Sequence, residues 1–223
     1  LPFEADDRDD SYTDERLAAM LELGLAAPVE WVNVNRVLDQ GKYSTCVSAG
    51  MLGLLNTDDE HHNDPRFRDV DIMPFFKTIV GGDVRDGALI RNGLKAAKLA
   101  GLVEAYARLV SEEQIEDWLE QHGPVLVGTA WTARMSKPQD DIVIVDTTKT
   151  VNGHCWFIHG FDPNYLHGSN SWGTRWADSG YFRMSRTCFH ELFLRNGEAW
   201  AVVQPITRSL PQSSWWQRIK AFF

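Results

Sequence analysis

Apolar positions change their spacing along the chain, and the change divides it. Leu17, Met20, Leu21 and Leu23 recur at helical intervals after Thr13, a fair N-cap, and before Gly24, a plausible stop. A short amphipathic helix is expected over 14–23. Residues 30–40 read as extended chain (Trp31, Val32, Val34, Val37) up to the break at Gln40-Gly41. From Ser44 or Thr45 a dense run of small and apolar residues, Cys46 to Leu55, predicts a buried helix. Residues 70–80 read as a helix or irregular apolar segment interrupted by Pro74. Leu89, Ile90, Leu94, Ala97 and Leu99 predict a helix over 89–100, and Ile115, Trp118 and Leu119 another over 112–120.

After Gly123-Pro124 short β-type runs take over: 125–128, 142–145, 155–160, 165–171, 180–186 and 200–203. Helices first and strands second argue for an α+β fold in two lobes, with the change near 110–123. The expected division is an acidic extension over 1–27, a helical lobe over 28–115, a β lobe over 116–208 and an aromatic, basic tail over 209–223. That tail, with Trp215, Trp216, Phe222 and Phe223, could pack on the β lobe, dock a partner or touch a membrane surface.

Composition narrows the classes. The 223 residues are 43% hydrophobic, with 9 Trp and 11 Phe, enough apolar surface to fold. No stretch approaches the roughly 20 apolar residues of a membrane span, and no signal peptide is visible near Leu1. The net charge of −9 argues against non-specific nucleic-acid binding. Cys46, Cys155 and Cys188 are too few for a disulfide scaffold and suggest a reducing compartment.

Candidate chemistry centres on Cys46. A cysteine opening a helix meets unpaired N–H groups and the helix dipole, which stabilise a thiolate, although a free cysteine is as readily a core residue. Gln40-Gly41 stands six residues before it. Asn152-Gly153-His154 leads into a β run, and Ser169-Asn170-Ser171-Trp172-Gly173-Thr174 follows, then Trp176 and Gly180-Tyr181. These four pieces, in this order, resemble the papain-like cysteine proteases over roughly residues 28–205. Two departures stand out. Tyr43 occupies the place of a family disulfide cysteine, and the 108 residues from Cys46 to His154 make a short interval. The latter implies trimmed loops around 57–88 and 129–150.

The resemblance implies a two-lobed fold: a helical lobe, an antiparallel β-barrel-like lobe and a cleft between them. It implies Cys46 as nucleophile, His154 as base and then acid, Asn170 as its orienting partner, and Gln40 with the Cys46 N–H as oxyanion donors. Trp172 would cover the Asn170–His154 contact. Gly87 and Ala88 would pair with the substrate strand, with Gly81-Gly82 as a rival placement, and Gly153 would line the opposite wall. No metal and no organic cofactor is implied. The partners implied are a protein or peptide substrate and, in a toxin or effector setting, an inhibitor or immunity protein. Acyl transfer or deamidation at the same site, and a catalytically silent binding module, stay open as alternatives.

The other histidines and cysteines have plainer readings. His61 and His62 lie in an acidic loop with Asp58, Asp59 and Asp64, read as solvated rather than metal-binding. His159 follows His154 by an odd offset, which puts it on the other face of a strand. Cys155 points away from His154 and is read as core. His122, His167, His190 and Cys188 carry no matched context.

Overall fold

The computed structural model describes residues 31, 37–57, 67–81, 87–144 and 150–204. The expected 14–23 helix, the 58–64 loop with His61 and His62, Gly82 and the 214–223 tail lie outside them.

The helical part is built around α1 (Cys46–Leu55), in which every residue after Cys46 is buried. A helix apolar on all sides needs cover on all sides. It is supplied by α2 (Asp69–Val80), α3 (Ile90–Leu99) and the sheet. Gly50 and Gly53 let α1 approach the sheet closely. A Cβ at either would lie 3.0 Å from Cys155 Sγ or from the Phe157 ring. α2 starts where the Asp71 carboxylate accepts the Arg68 N–H at 2.8 Å. It runs through Pro74 without the expected interruption. The bond lost there is to the carbonyl of Val70, a residue 76% exposed, where water is at hand.

Seven strands form one sheet in the order β1-β7-β2-β4-β5-β6-β3: β1 (Ala105–Leu109), β2 (Val125–Thr132), β3 (Ile142–Val143), β4 (Thr150–Phe161), β5 (Tyr165–Ser169), β6 (Tyr181–Ser185) and β7 (Glu198–Val203). All pairings are antiparallel except β3 with β6. The sheet is not closed: β1 and β3 are its two edges. The barrel-like closure expected of the β lobe is therefore corrected to an open sheet, while the α+β class stands.

Alternation along the strands builds two cores. Leu126, Cys155, Phe157 and Trp200 face α1–α3. Val127, Trp156, Ile158, Ala199 and Ala201 face the other way, under α4 (Glu112–Gln121) and α5 (Arg186–Leu194). Ser111 and Ser185 start these two helices, each accepting a backbone N–H at 3.2 Å. β1 and α5 have no counterpart in the sequence reading, and β2 and β4 are longer than expected. β4 opens at Thr150, so His154 stands inside the strand and not before it.

Candidate active site

Cys46 is the first residue of α1. Its N-cap, Thr45, makes no side-chain cap hydrogen bond, and no acidic residue lies in the first turn. The first-turn N–H groups and the positive end of the dipole are thus left for the thiol. The backbone N–H groups of Cys155, Val47 and Cys46 itself favour its thiolate, but burial outweighs them and pushes the thiol up.

His154 is held from β4, opposite Thr129 of β2. Its Nε2 lies 2.7 Å from Asn170 Oδ1. That same oxygen accepts the Ser171 N–H at 2.8 Å, which identifies it as the amide oxygen. An oxygen with no hydrogen can only accept, so Nε2 carries the proton and Nδ1 is the basic nitrogen of the neutral ring. Burial pushes His154 down to about 4, against the opposing pull of Asn170.

Burial thus disfavours each charge taken singly. A thiolate and an imidazolium formed together by one proton transfer offset each other in this low-dielectric setting.

The rings around His154 explain its burial. Trp172 lies tilted over it at 5.1 Å between centroids, and Trp131 meets it edge-on at 4.8 Å. Trp131 also touches Trp156, Trp172, Trp176 and Phe182. Trp131 is absent from the sequence reading, which ends its strand at Gly128. The alternation of Thr129-Ala130-Trp131 carried the signal that the strand continues.

Gln40 is tied to the Asn170 segment twice. Its backbone N–H donates to the Ser171 carbonyl at 2.9 Å, and its Oε1 accepts the Ser171 hydroxyl at 2.6 Å. Its Nε2 donates to the Tyr43 carbonyl at 2.8 Å, and a second N–H remains on that nitrogen. Asp39 bridges to Trp172. The loop before Cys46 and the loop carrying Asn170 are one hydrogen-bonded unit.

The expected substrate walls are distinct in character. Gly87 has φ +74°, and Ala88 packs partly into the helical core. Gly153 is exposed, and a Cβ there would meet open space. Cys155 is buried, with its thiol under Gly50. His159 is buried about other groups, 6.2 Å from His167 and 5.3 Å from Tyr181 between centroids. Among the described residues, no group of three or more His, Cys, Asp or Glu side chains is arranged to hold a metal ion.

Comparison with known proteins fits this geometry. A family model described as papain family cysteine protease matches residues 90–196, a span that holds His154 and Asn170. Cysteine proteinase A of Leishmania mexicana is 31% identical over 111 residues, which are 46% of this chain and 30% of that protein. Cysteine proteinase 1 of Leishmania pifanoi matches to the same extent. The chain thus spans under a third of the length of these curated relatives. Among solved structures, xylellain, a cysteine protease from Xylella fastidiosa, shares the fold with a TM-score of 0.67 at 19% identity. That likeness covers 92% of this chain and 95% of xylellain. Digestive procathepsin L 3 of Tenebrio molitor shares it with a TM-score of 0.61 at 18% identity, over 85% of this chain and 78% of that one. Over residues 90–196 the chain is thus similar to the papain family of cysteine proteases, and it shares the fold of the papain-like enzymes.

Proposed function

We propose that this chain is a cysteine endopeptidase that hydrolyses peptide bonds of a protein substrate through a thioester. The supporting observation is the buried Nε2–H···Oδ1 bond from His154 to Asn170, which leaves Nδ1 as base, with Cys46 at the bare N-terminus of α1 beside the next residue, Cys155. Nδ1 takes the proton of Cys46, and the thiolate attacks the carbonyl carbon. The oxyanion forms toward the Cys46 N–H and the remaining Nε2–H of Gln40. The imidazolium then protonates the leaving amine, and the acyl group stays on sulfur. Water, deprotonated by the same Nδ1, releases the acid and restores the thiol. Asn170 fixes the tautomer throughout, and Trp172 and Trp131 keep water from that bond.

The experiment is digestion of a denatured protein by the wild type and by Cys46→Ala, with mass spectrometry of the products. New termini made only by the wild type support the reading. Cleavage retained by Cys46→Ala, or a one-dalton gain or ligated amine in place of new termini, overturns it.

We further propose that the chain works in a reducing compartment, which suits its three free cysteines. A toxin or effector role, restrained by a separate inhibitor or immunity protein, draws support from the low cysteine content and the short Cys46-to-His154 interval. Capture of a stoichiometric, activity-blocking protein on immobilised Cys46→Ala would support it. A lysate of the source organism with no such protein would end it.

A further inference from the structure

The thiol of Cys155 takes no part in the peptide cleavage proposed above, yet it is packed against the nucleophile's own helical turn. Cys155 lies on β4, against the start of α1. At the near end of the first turn its backbone N–H faces the Cys46 sulfur. At the far end, a Cβ on Gly50 would lie 3.0 Å from its Sγ and 3.5 Å from its carbonyl oxygen. The four residues from Cys46 to Gly50 rise about 6 Å. One residue of β4 thus touches both ends of that turn, with its thiol at one end and the nucleophile at the other.

The three cysteines divide between the two cores. Cys155 belongs to the core under α1–α3, and Cys46 packs against the same core. Cys188 packs against the other core, across the sheet. Cys46 therefore shares a side with Cys155, and the sheet keeps Cys188 from both. A strand side chain takes either of two common χ1 rotamers. A turn about the Cα–Cβ bond of Cys155 carries its sulfur from Gly50 toward Cys46, where its N–H already stands. A disulfide joins Cα atoms about 4.4–6.8 Å apart, the range into which a backbone N–H facing a sulfur brings two residues.

The two thiols differ in access. Cys46 is partly exposed, and Cys155 is 1% exposed. Burial holds the Cys155 thiol well above its ordinary range, and the charge of a Cys46 thiolate adds to that. A dissolved oxidant therefore meets Cys46 first. Oxidation of Cys46 to an uncharged sulfenic acid removes the opposing charge and leaves a sulfur that a thiol attacks.

Resting on the reading of Cys46 as the endopeptidase nucleophile, we propose that Cys155 is a resolving cysteine, which under hydrogen peroxide closes a disulfide with Cys46 and shuts the site reversibly. The Cys46 thiolate attacks one peroxide oxygen. The O–O bond breaks, the sulfur is oxidised to sulfenic acid, and the departing hydroxide takes the His154 proton and leaves as water. The Cys155 sulfur then attacks the Cys46 sulfur. The S–O bond breaks, the leaving hydroxide takes the Cys155 proton, and an S–S bond replaces it. A dithiol reductant returns both thiols and is itself oxidised to a disulfide. A bond of this transient kind suits a reducing compartment.

The test treats the protein with hydrogen peroxide, blocks the remaining thiols by alkylation and maps the peptides by mass spectrometry without reductant. The expected product is a linked Cys46–Cys155 pair, two hydrogens lighter than its separate peptides, with cleavage lost. Dithiothreitol then restores most of the starting activity of the wild type and of Cys188→Ala, but about a tenth or less in Cys155→Ala, where Cys46 goes on to sulfinic acid. The wild-type map decides even where Cys155→Ala does not fold. Sulfinic or sulfonic acid on Cys46 with no linked pair, a pair that joins Cys188 instead, or equal recovery in Cys155→Ala overturns the proposal and leaves the endopeptidase reading intact. A preparation that cleaves nothing before oxidation overturns that reading, and the linked pair, read by mass, still decides the disulfide.

Discussion

At the scale of single residues, the site depends on two groups that are each poorly disposed to carry charge. Burial raises the Cys46 thiol and lowers His154, so the proposed mechanism requires that the proton pass between them. Removing the ring in His154→Ala strands the thiol in its desolvated setting. The alkylation rate of Cys46 in that variant should then rise only above the ordinary thiol range, whereas in the wild type it should already be high near neutral pH. A profile that the substitution leaves unmoved would refute the pairing. Asn170→Ala removes the acceptor that fixes the tautomer, although Trp172 and Trp131 still hold the ring. Its kcat should fall about tenfold or more, and less than in Cys46→Ala, by progress curves on one substrate. The residues involved were legible because each piece is local: Gln40 through Cys46 in one stretch, Ser169 through Thr174 in another. Trp131 was not, because its role depends on β2 continuing past a glycine, and only the pairing of Thr129 with His154 shows that it does.

Among the elements, the contact between α1 and β4 decides whether thiol and ring share a site. Two glycines, Gly50 and Gly53, set their separation. Gly50→Val would drive a branched side chain into Cys155 Sγ. It should cost about 1–3 kcal/mol in urea unfolding and slow alkylation of Cys46 as the helix is pushed off the strand. Unchanged stability and reactivity would show that the close approach is not needed. Over the described residues α1, α3 and α4 were readable as helices, and α2 only as a helix or an irregular apolar segment, because Pro74 stands inside it. Their counterpart α5 was not, since Arg186 to Leu194 carries only Phe189 and Leu192 into the core. β1 was hidden for a similar reason: Ala105-Tyr106-Ala107-Arg108-Leu109 is a weak alternation, and its pairing partner, β7, lies almost a hundred residues away. Sheet closure is less legible still. It depends on how the edges β1 and β3 come to lie, which no local pattern encodes.

For the whole molecule, two buried imidazoles tie stability to pH. His154 and His159 are each 8% exposed, and burial holds both at about 4. Nearby His167 adds repulsion at His159, against the opposing pull of the backbone at Gly168 and Trp31. The unfolded chain binds protons on these rings from about pH 6.5 downward, and the folded chain only near 4. The unfolded state thus holds more protons in between, and stability falls as pH drops through that window. Each ring accounts for roughly 3 kcal/mol by the acid end. Urea unfolding at pH 7.5 and 4.5 should show the loss. His159→Phe should flatten it by close to one ring's share, and a slope unchanged by that substitution would remove His159 from the account.

β4 passes between two cores, and consecutive residues serve opposite sides of it: His154 joins the tryptophan cluster, and Cys155 lies beneath α1. A slip of one position would trade imidazole for thiol and silence the protein. The ladders to β2 and β5 clamp the strand on both flanks. Insertions and deletions can therefore be absorbed by the connections that enter and leave this strand, but not within it. Specific activity in a refolding mixture accordingly counts the chains in which that ladder has been laid down in correct alignment.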